Sequence, residues 1–197
     1  MESAILMAAG LGTRMRPLTD NTPKPLIKAA GKPLIETVID GLWQHGVREI
    51  YVVTGYLAEQ FDYLAEKYPG LTLVNNEEYT VKNNISSIHA VCQYMGKTDC
   101  FICEADLYVS DPAIFDIPHD KSCYYGKYVA GHSDDWVFDM DGERIVRVGK
   151  GGDDTYNMVG ISYFKADDAA YIADAILKAY KAVSYTHLRA HETLSDL

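Results

Sequence analysis

The chain has 197 residues, 48% hydrophobic and 23% charged, enough for one globular domain with a two-layer core. Eighteen Lys and Arg against 28 Asp and Glu leave a net charge of −10, which excludes a broad electrostatic grip on nucleic acid or anionic lipid, so any basic patch must be local. No stretch reaches the roughly 18 apolar residues that a membrane span requires. The apolar start AILMAA follows Glu2 rather than a basic segment, and the chain reads as cytoplasmic. Four cysteines, Cys92, Cys100, Cys103 and Cys123, are too few for a disulfide framework and are expected as free thiols. Cys100 and Cys103 form a C-x-x-C inside an apolar strand pattern, with no second Cys/His pair to complete a zinc site.

In chain order, residues 3–9 (SAILMAA) are an apolar run closed by Gly10 and Gly12, the pattern of a buried parallel strand entering a tight loop. Pro33 opens PLIETVIDGLWQHG, whose apolar residues at 34, 35, 38, 39, 42 and 43 keep the helical period up to Gly46. EIYVVTG reads as a strand, LAEQFDYLAEKY as a helix ending before Pro69-Gly70, and LTLVNN as a third strand. A helix over Ile85 to Met95 then leads to the strand CFICEAD. Beyond Asp106 the pattern becomes antiparallel, with strands in KSCYYGKYVA, WVFDM and RIVRVG, the last two joined at Asp141-Gly142 by a type I′ hairpin signal. NMVGISYF is a further strand and DDAAYIADAILKAYKAV a closing helix. The alternation predicts a doubly wound, mostly parallel α/β sheet with helices on both faces and a small antiparallel insertion. The tail SYTHLRAHETLSDL has no continuing apolar face and resembles translated adapter read-through. Residues 1–183 are therefore read as a single domain and 184–197 as a non-native tail.

The densest chemical signal is LMAAGLGTRMRPLTDNTPKPL, residues 6–26. Small residues at Ala8, Ala9, Gly10 and Gly12 let backbone N–H groups close on phosphate oxygens, and Arg14, Arg16 and Lys24 supply the counter-charge. Residues 1–32 carry five basic and two acidic residues, net +3, leaving −13 for the remainder, so the basic patch is local as required. The Walker pattern is absent, and the dinucleotide fingerprint lacks its third glycine, Met15 following Arg14. That argues against a dinucleotide-dependent oxidoreductase.

G-L-G-T-R-M-R-P-L-T followed by T-P-K-P-L resembles the signature of the sugar-phosphate nucleotidyltransferases, which join a nucleoside triphosphate to a phosphomonoester and release pyrophosphate. The resemblance follows the order of elements from residue 3 to about 183. It implies that Ala8, Ala9, Gly10, Gly12 and Thr13 hold the nucleotide, Arg14 the triphosphate and Lys24 the reacting phosphates. It also implies that Asp106, in Glu104-Ala105-Asp106 at a strand end, binds Mg²⁺. Asn83-Asn84-Ile85-Ser86-Ser87 resembles the branch of the family that uses CTP; Asn84 and Ser87 either meet the base or cap the helix.

The segments 131–136 and 157–164 resemble bacterial phosphocholine cytidylyltransferases, implying phosphocholine as acceptor. A quaternary ammonium donates no hydrogen bonds and is best held over an aromatic face with carboxylates nearby, which points to Trp136, Tyr163, Asp134 and Asp135. Trp136 reads equally as an ordinary strand aromatic. His45, His89, His119 and His132 show no metal-ligand spacing. The expectation is a Mg²⁺-dependent enzyme making CDP-choline from CTP and phosphocholine. A hexose-1-phosphate nucleotidyltransferase is the nearest alternative. A binding module without catalysis is another, since the family's W-D segment and second metal-binding aspartate do not occur in this chain.

Overall fold

The structure is a computed structural model and describes residues 2–81 and 84–182. Its main sheet has six strands: β1 (Glu2–Met7), β4 (Glu49–Thr54), β5 (Leu71–Asn75), β6 (Asp99–Glu104), β7 (Cys123–Asp141) and β8 (Arg144–Phe164). The spatial order is β5-β4-β1-β6-β8-β7, the first four parallel and the last two antiparallel. A two-stranded ribbon, β2 (Lys28–Ala29) and β3 (Lys32–Pro33), leads into the first helix.

Strand alternation sorts the apolar side chains into two layers. Ala4 and Leu6 of β1 and Phe101 and Cys103 of β6 pack against Ile35, Val38 and Leu42 of helix α1 (Leu34–His45) and Leu64 of α2 (Asp62–Lys67). Ile5 of β1 and Cys100 of β6 pack against Ile85 and Ile88 of α3 (Asn84–Val91) and Ile172 and Ile176 of α4 (Ala166–Ala182). Both faces are thus covered, as the apolar strands require. The same alternation sends Cys100 and Cys103 to opposite faces of the sheet, so the C-x-x-C cannot close; all four cysteines are free. Burial pushes the Cys100 thiol up to about 12, the pattern of an inert structural cysteine. None of the helices formed by the described residues is long and apolar enough to cross a membrane.

Three elements differ from the sequence reading. The helix expected over 57–68 begins as a 3₁₀ turn at Ala58–Phe61, and the one expected over 85–95 ends in a 3₁₀ turn at Cys92–Tyr94. The separate short strands of the insertion are segments of two long bent ones. Val137 and Phe138 pair with Gly149 and Val148 on one side and with Asn157 and Tyr156 on the other. The hairpin lies one residue later than expected: Asp141 pairs with Arg144, so Gly142 and Glu143 are the central residues. Gly142 has φ 58° and Glu143 does not have a positive φ, the II′ rather than the I′ pattern.

Candidate active site

In an open α/β sheet, ligands bind where strand order reverses, beyond the carboxyl ends of the strands. Here the chain passes from β1 to β4 on one side and later returns to β6 on the other, so the crevice opens between the ends of β1 and β6. A cavity of about 390 Å³ lies there, walled by Ala8, Ala9, Gly10, Gly12, Thr13, Arg14 and Lys24 on the loop side and by Glu104 and Asp106 on the β6 side. The phosphate-loop residues read from the sequence and the strand-end aspartate therefore meet in one cleft.

Local geometry explains the loop. Ala8 N–H is held by the Val53 carbonyl at 2.8 Å, and the Ala9 carbonyl accepts from Tyr56 N–H at 3.2 Å. The amides of Gly10, Leu11 and Gly12 reach no backbone carbonyl among the described residues, leaving donors for an anion. Gly12 is left-handed at φ 61°, and a Cβ there would come within 3.0 Å of the Thr19 methyl and 3.2 Å of Lys24 Cβ. Thr19 is buried and donates from Oγ1 to the Gly12 carbonyl at 2.8 Å. The glycine thus sets the approach of Lys24 to the loop.

Of the three cations expected here, Arg14 and Lys24 line the cavity, while Arg16 turns to Asp20 at 3.3 Å on the exposed side. Lys24 Nζ lies 2.5 Å from Asp106 Oδ2, so the two residues predicted as separate functional groups are ion-paired with each other. Glu104 stands beside them. Burial and the Asp106 carboxylate raise its carboxyl above the usual range, opposed by Lys24 and Arg14. Asp106 fits Mg²⁺, which takes hard oxygens from one or two carboxylates and completes its shell with substrate phosphates and water. Among the described residues no three His, Cys, Asp or Glu side chains form a metal cage.

The far wall is apolar, built by Ile85 and Ile88 of α3 and Ile172 and Ile176 of α4, with Tyr124, Met158, Gly160 and Ser162 on the β7–β8 side. Ser87 lies inside α3 and on the cavity, which removes the capping reading for it. Its hydroxyl accepts from Asn76 Nδ2 at 3.0 Å, and the same amide reaches Ser86 at 2.8 Å. Sequence reasoning missed Asn76, a buried residue just past β5, because it read as a strand end. The side chain of Asn84 and the whole of Asn83 lie outside what is described, as does the tail 184–197.

The four residues expected at the acceptor do not line this cavity. Tyr163 is 2% exposed and faces the α1 layer, one residue out of phase with Ser162, which faces the cavity. Its hydroxyl donates within a network to Glu2 at 2.8 Å and Asp99 at 3.0 Å, at the opposite end of the strands. Asp134, Asp135 and Trp136 also lie off the cavity, because β8 and β7 leave the central sheet beyond the Cys103–Ile161 pair and carry them into the hairpin. There Asp134 meets His132 at 3.2 Å, Asp135 accepts from Asn157 at 3.4 Å, and Trp136 pairs with Lys150 across the strands. Tyr163→Phe is expected to leave the acceptor KM within twofold of wild type. It should cost about 1 kcal/mol of stability, because His45 still holds Glu2, and Lys165 and the Ala166 amide still hold Asp99. Thermal melts and acceptor titrations check this; a tenfold rise in acceptor KM would return Tyr163 to the site.

A glycine loop with paired cations, set against a strand-end carboxylate at a topological switch point, defines a nucleotidyltransferase. Residues 4–121 match the MobA-like NTP transferase domain, and the chain belongs to that family. It is 56% identical over 187 residues to the 2-aminoethylphosphonate cytidylyltransferase of Lancefieldella rimae, covering 94% of this chain and 76% of the relative. It is 36% identical over 197 residues to the choline-phosphate cytidylyltransferase of Streptococcus pneumoniae, covering 98% and 83%. The solved structure of the CTP:phosphocholine cytidylyltransferase LicC from Streptococcus pneumoniae superposes with a TM-score of 0.86 at 34% identity, covering 99% of this chain and 84% of that one. The enzyme is a nucleotidyltransferase of the cytidylyltransferase type.

Proposed function

We propose that the enzyme transfers CMP from CTP to 2-aminoethylphosphonate. An acceptor phosphonate oxygen attacks the α-phosphorus of CTP, a new P–O bond forms, the bond between the α-phosphorus and the bridging oxygen breaks, and pyrophosphate leaves. The observation that carries the reading is the meeting of Arg14, Lys24 and Asp106 around one loop, in a chain 56% identical to a relative named for this acceptor.

The acceptor arrives already anionic, so the reaction asks for alignment and charge neutralisation more than for a general base. The open amides of Gly10 to Gly12 bind the phosphates, and Arg14 and Lys24 offset the charge that gathers on the leaving pyrophosphate. Mg²⁺ held by Asp106 would neutralise phosphate charge and polarise the α-phosphoryl group. Lys24 pairs with Asp106 through Oδ2, which leaves Oδ1 to meet the metal. Ser87, oriented by Asn76, offers a hydroxyl toward the nucleoside.

The cavity's chemistry favours a primary over a quaternary ammonium. Trimethylammonium groups are best bound by a cage of aromatic faces, and neither Trp136 nor Tyr163 lines the cavity, where Tyr124 is the one ring among the described residues. Phosphocholine is the second reading, supported by the Streptococcus pneumoniae relatives.

The test is pyrophosphate release with Mg²⁺, crossing CTP, UTP, dTTP and GTP against 2-aminoethylphosphonate, phosphocholine and glucose-1-phosphate. The expected result is release with CTP and 2-aminoethylphosphonate at a kcat/KM at least tenfold above any other pair. A preference for phosphocholine or for the sugar phosphate would overturn the acceptor assignment. Silence with all acceptors, together with calorimetric CTP binding, would favour a binding module.

A further inference from the structure

We propose that Glu104 is the specificity-determining residue that receives the acceptor's primary ammonium, an inference that rests on the aminophosphonate reading above. Two carboxylates line the cavity, and they are in different states. Asp106 is tied to Lys24 at 2.5 Å, whereas Glu104 makes no hydrogen bond or ion pair with any described residue. Glu104 is the last residue of β6, and alternation puts it on the same face as Cys100 and Ile102, toward α3 and α4. Its carboxylate therefore opens into the cleft walled by Ile85, Ile102, Ile172 and Met158, where Glu104 is exposed and open to a ligand.

The backbone has been shaped to keep it there. The β6–β8 ladder ends at Cys103–Ile161, and the next residues out are Glu104 and Gly160. Gly160 has φ 78°, and a Cβ on it would lie 3.1 Å from Glu104 Oε2 and 3.2 Å from both its Cβ and its Cδ. A side chain at 160 would be strained and would push the carboxylate out of its place. A carboxylate that has no hydrogen bond or ion pair with a described residue, and that a glycine-made clearance admits to the cleft, is the complement of a cationic ligand group that arrives with the substrate.

Position fits the shape of the acceptor. Glu104 lines the same cavity as Arg14, Lys24 and Asp106, so an ammonium received there would lie in one cleft with the residues that meet the phosphates. In 2-aminoethylphosphonate only two methylenes separate phosphorus from nitrogen, a short span suited to adjacent anion and cation sites. A primary ammonium donates up to three hydrogen bonds and gains most from a carboxylate, which a trimethylammonium group cannot use in that way.

The test pairs two acceptors that differ only in the amine, 2-aminoethylphosphonate and ethylphosphonate, with wild type and Glu104→Gln. Wild type is expected to prefer the amine-bearing acceptor by tenfold to a hundredfold in kcat/KM, the usual range for a charge-assisted hydrogen bond. In Glu104→Gln that preference should collapse to within threefold, through KM for the acceptor, with KM for CTP and the Mg²⁺ half-saturation within twofold of wild type. Glu104→Asp, which keeps the charge, should recover part of the preference. Calorimetric binding of 2-aminoethylphosphonate to the protein loaded with a non-hydrolysable CTP analogue should weaken in parallel for Glu104→Gln, a readout independent of turnover.

A wild type indifferent to the amine overturns both the acceptor reading and this one. A wild type that needs the amine while Glu104→Gln keeps the full preference overturns the role of Glu104 alone. A loss in Glu104→Gln that follows the Mg²⁺ half-saturation instead of the acceptor also overturns it, by making Glu104 a metal ligand.

Discussion

Lys24→Ala is expected to slow pyrophosphate release about a hundredfold at saturating CTP and acceptor, equivalent to about 3 kcal/mol of lost transition-state stabilisation. The reason lies in where the cation sits. Lys24 lines the cavity with Arg14 and the glycine loop, and among the described residues it is the cation ion-paired with Asp106. Its ion pair with Asp106 is partly solvent-exposed, with side chains 34% and 23% accessible, so breaking it should change stability by no more than about 1 kcal/mol. The expected signature is thus a large fall in kcat with an almost unmoved melting temperature. Asp106→Asn should give a rate loss of similar size, and the double variant should lose far less than the product of the two, because each residue depends on the other for its position. Turnover of Lys24→Ala within threefold of wild type would remove it from the reacting centre.

Phe101→Ala is expected to do the reverse, costing about 3–5 kcal/mol of stability while leaving the site chemistry intact. Phe101 is fully buried in the α1 layer, at the centre of a group of rings. Phe115, Tyr163, His45 and His119 all meet it edge-on, with ring centroids 4.9 to 5.8 Å away. Removing the ring forfeits both the burial and several aromatic contacts, and the surrounding helix and strands cannot collapse fully into the space. Against a typical total of about 5–15 kcal/mol, such a loss should lower Tm by roughly 10 °C. KM for CTP, measured well below the new Tm, should stay within twofold, because Phe101 and the cavity lie on opposite faces of the sheet. A melting point within 2 °C of wild type would contradict the role assigned to this cluster.

Tyr163 and Ser162 show that strand facing, more than residue type, decides what lines the cavity. Val159, Ile161 and Tyr163 alternate with Gly160 and Ser162, a period-2 pattern that puts Tyr163 with Ile161 on the core face. Tyr163, the most conspicuous residue of the segment, faces the α1 layer, whereas Met158, Gly160 and Ser162 face the cavity. Trp136 lies off the cavity for a different reason: its strand belongs to the main sheet at its start and to the hairpin by residue 136, and no local signal marks where it leaves.

The order of strands and helices, the loop of small residues at 8–12, the cations Arg14 and Lys24 beside it, and a carboxylate just past β6 were all determined by the sequence itself. Each depends on residues close together in the chain: a helical or strand period, a run of small residues, a charge just past an apolar segment. The tertiary structure alone decided the pairing of Lys24 with Asp106, the support of Ser87 by Asn76, and the clearance that Gly160 makes for Glu104. These contacts join residues on different strands and loops, and they exist only once strand order, register and facing have been set by packing the two apolar layers.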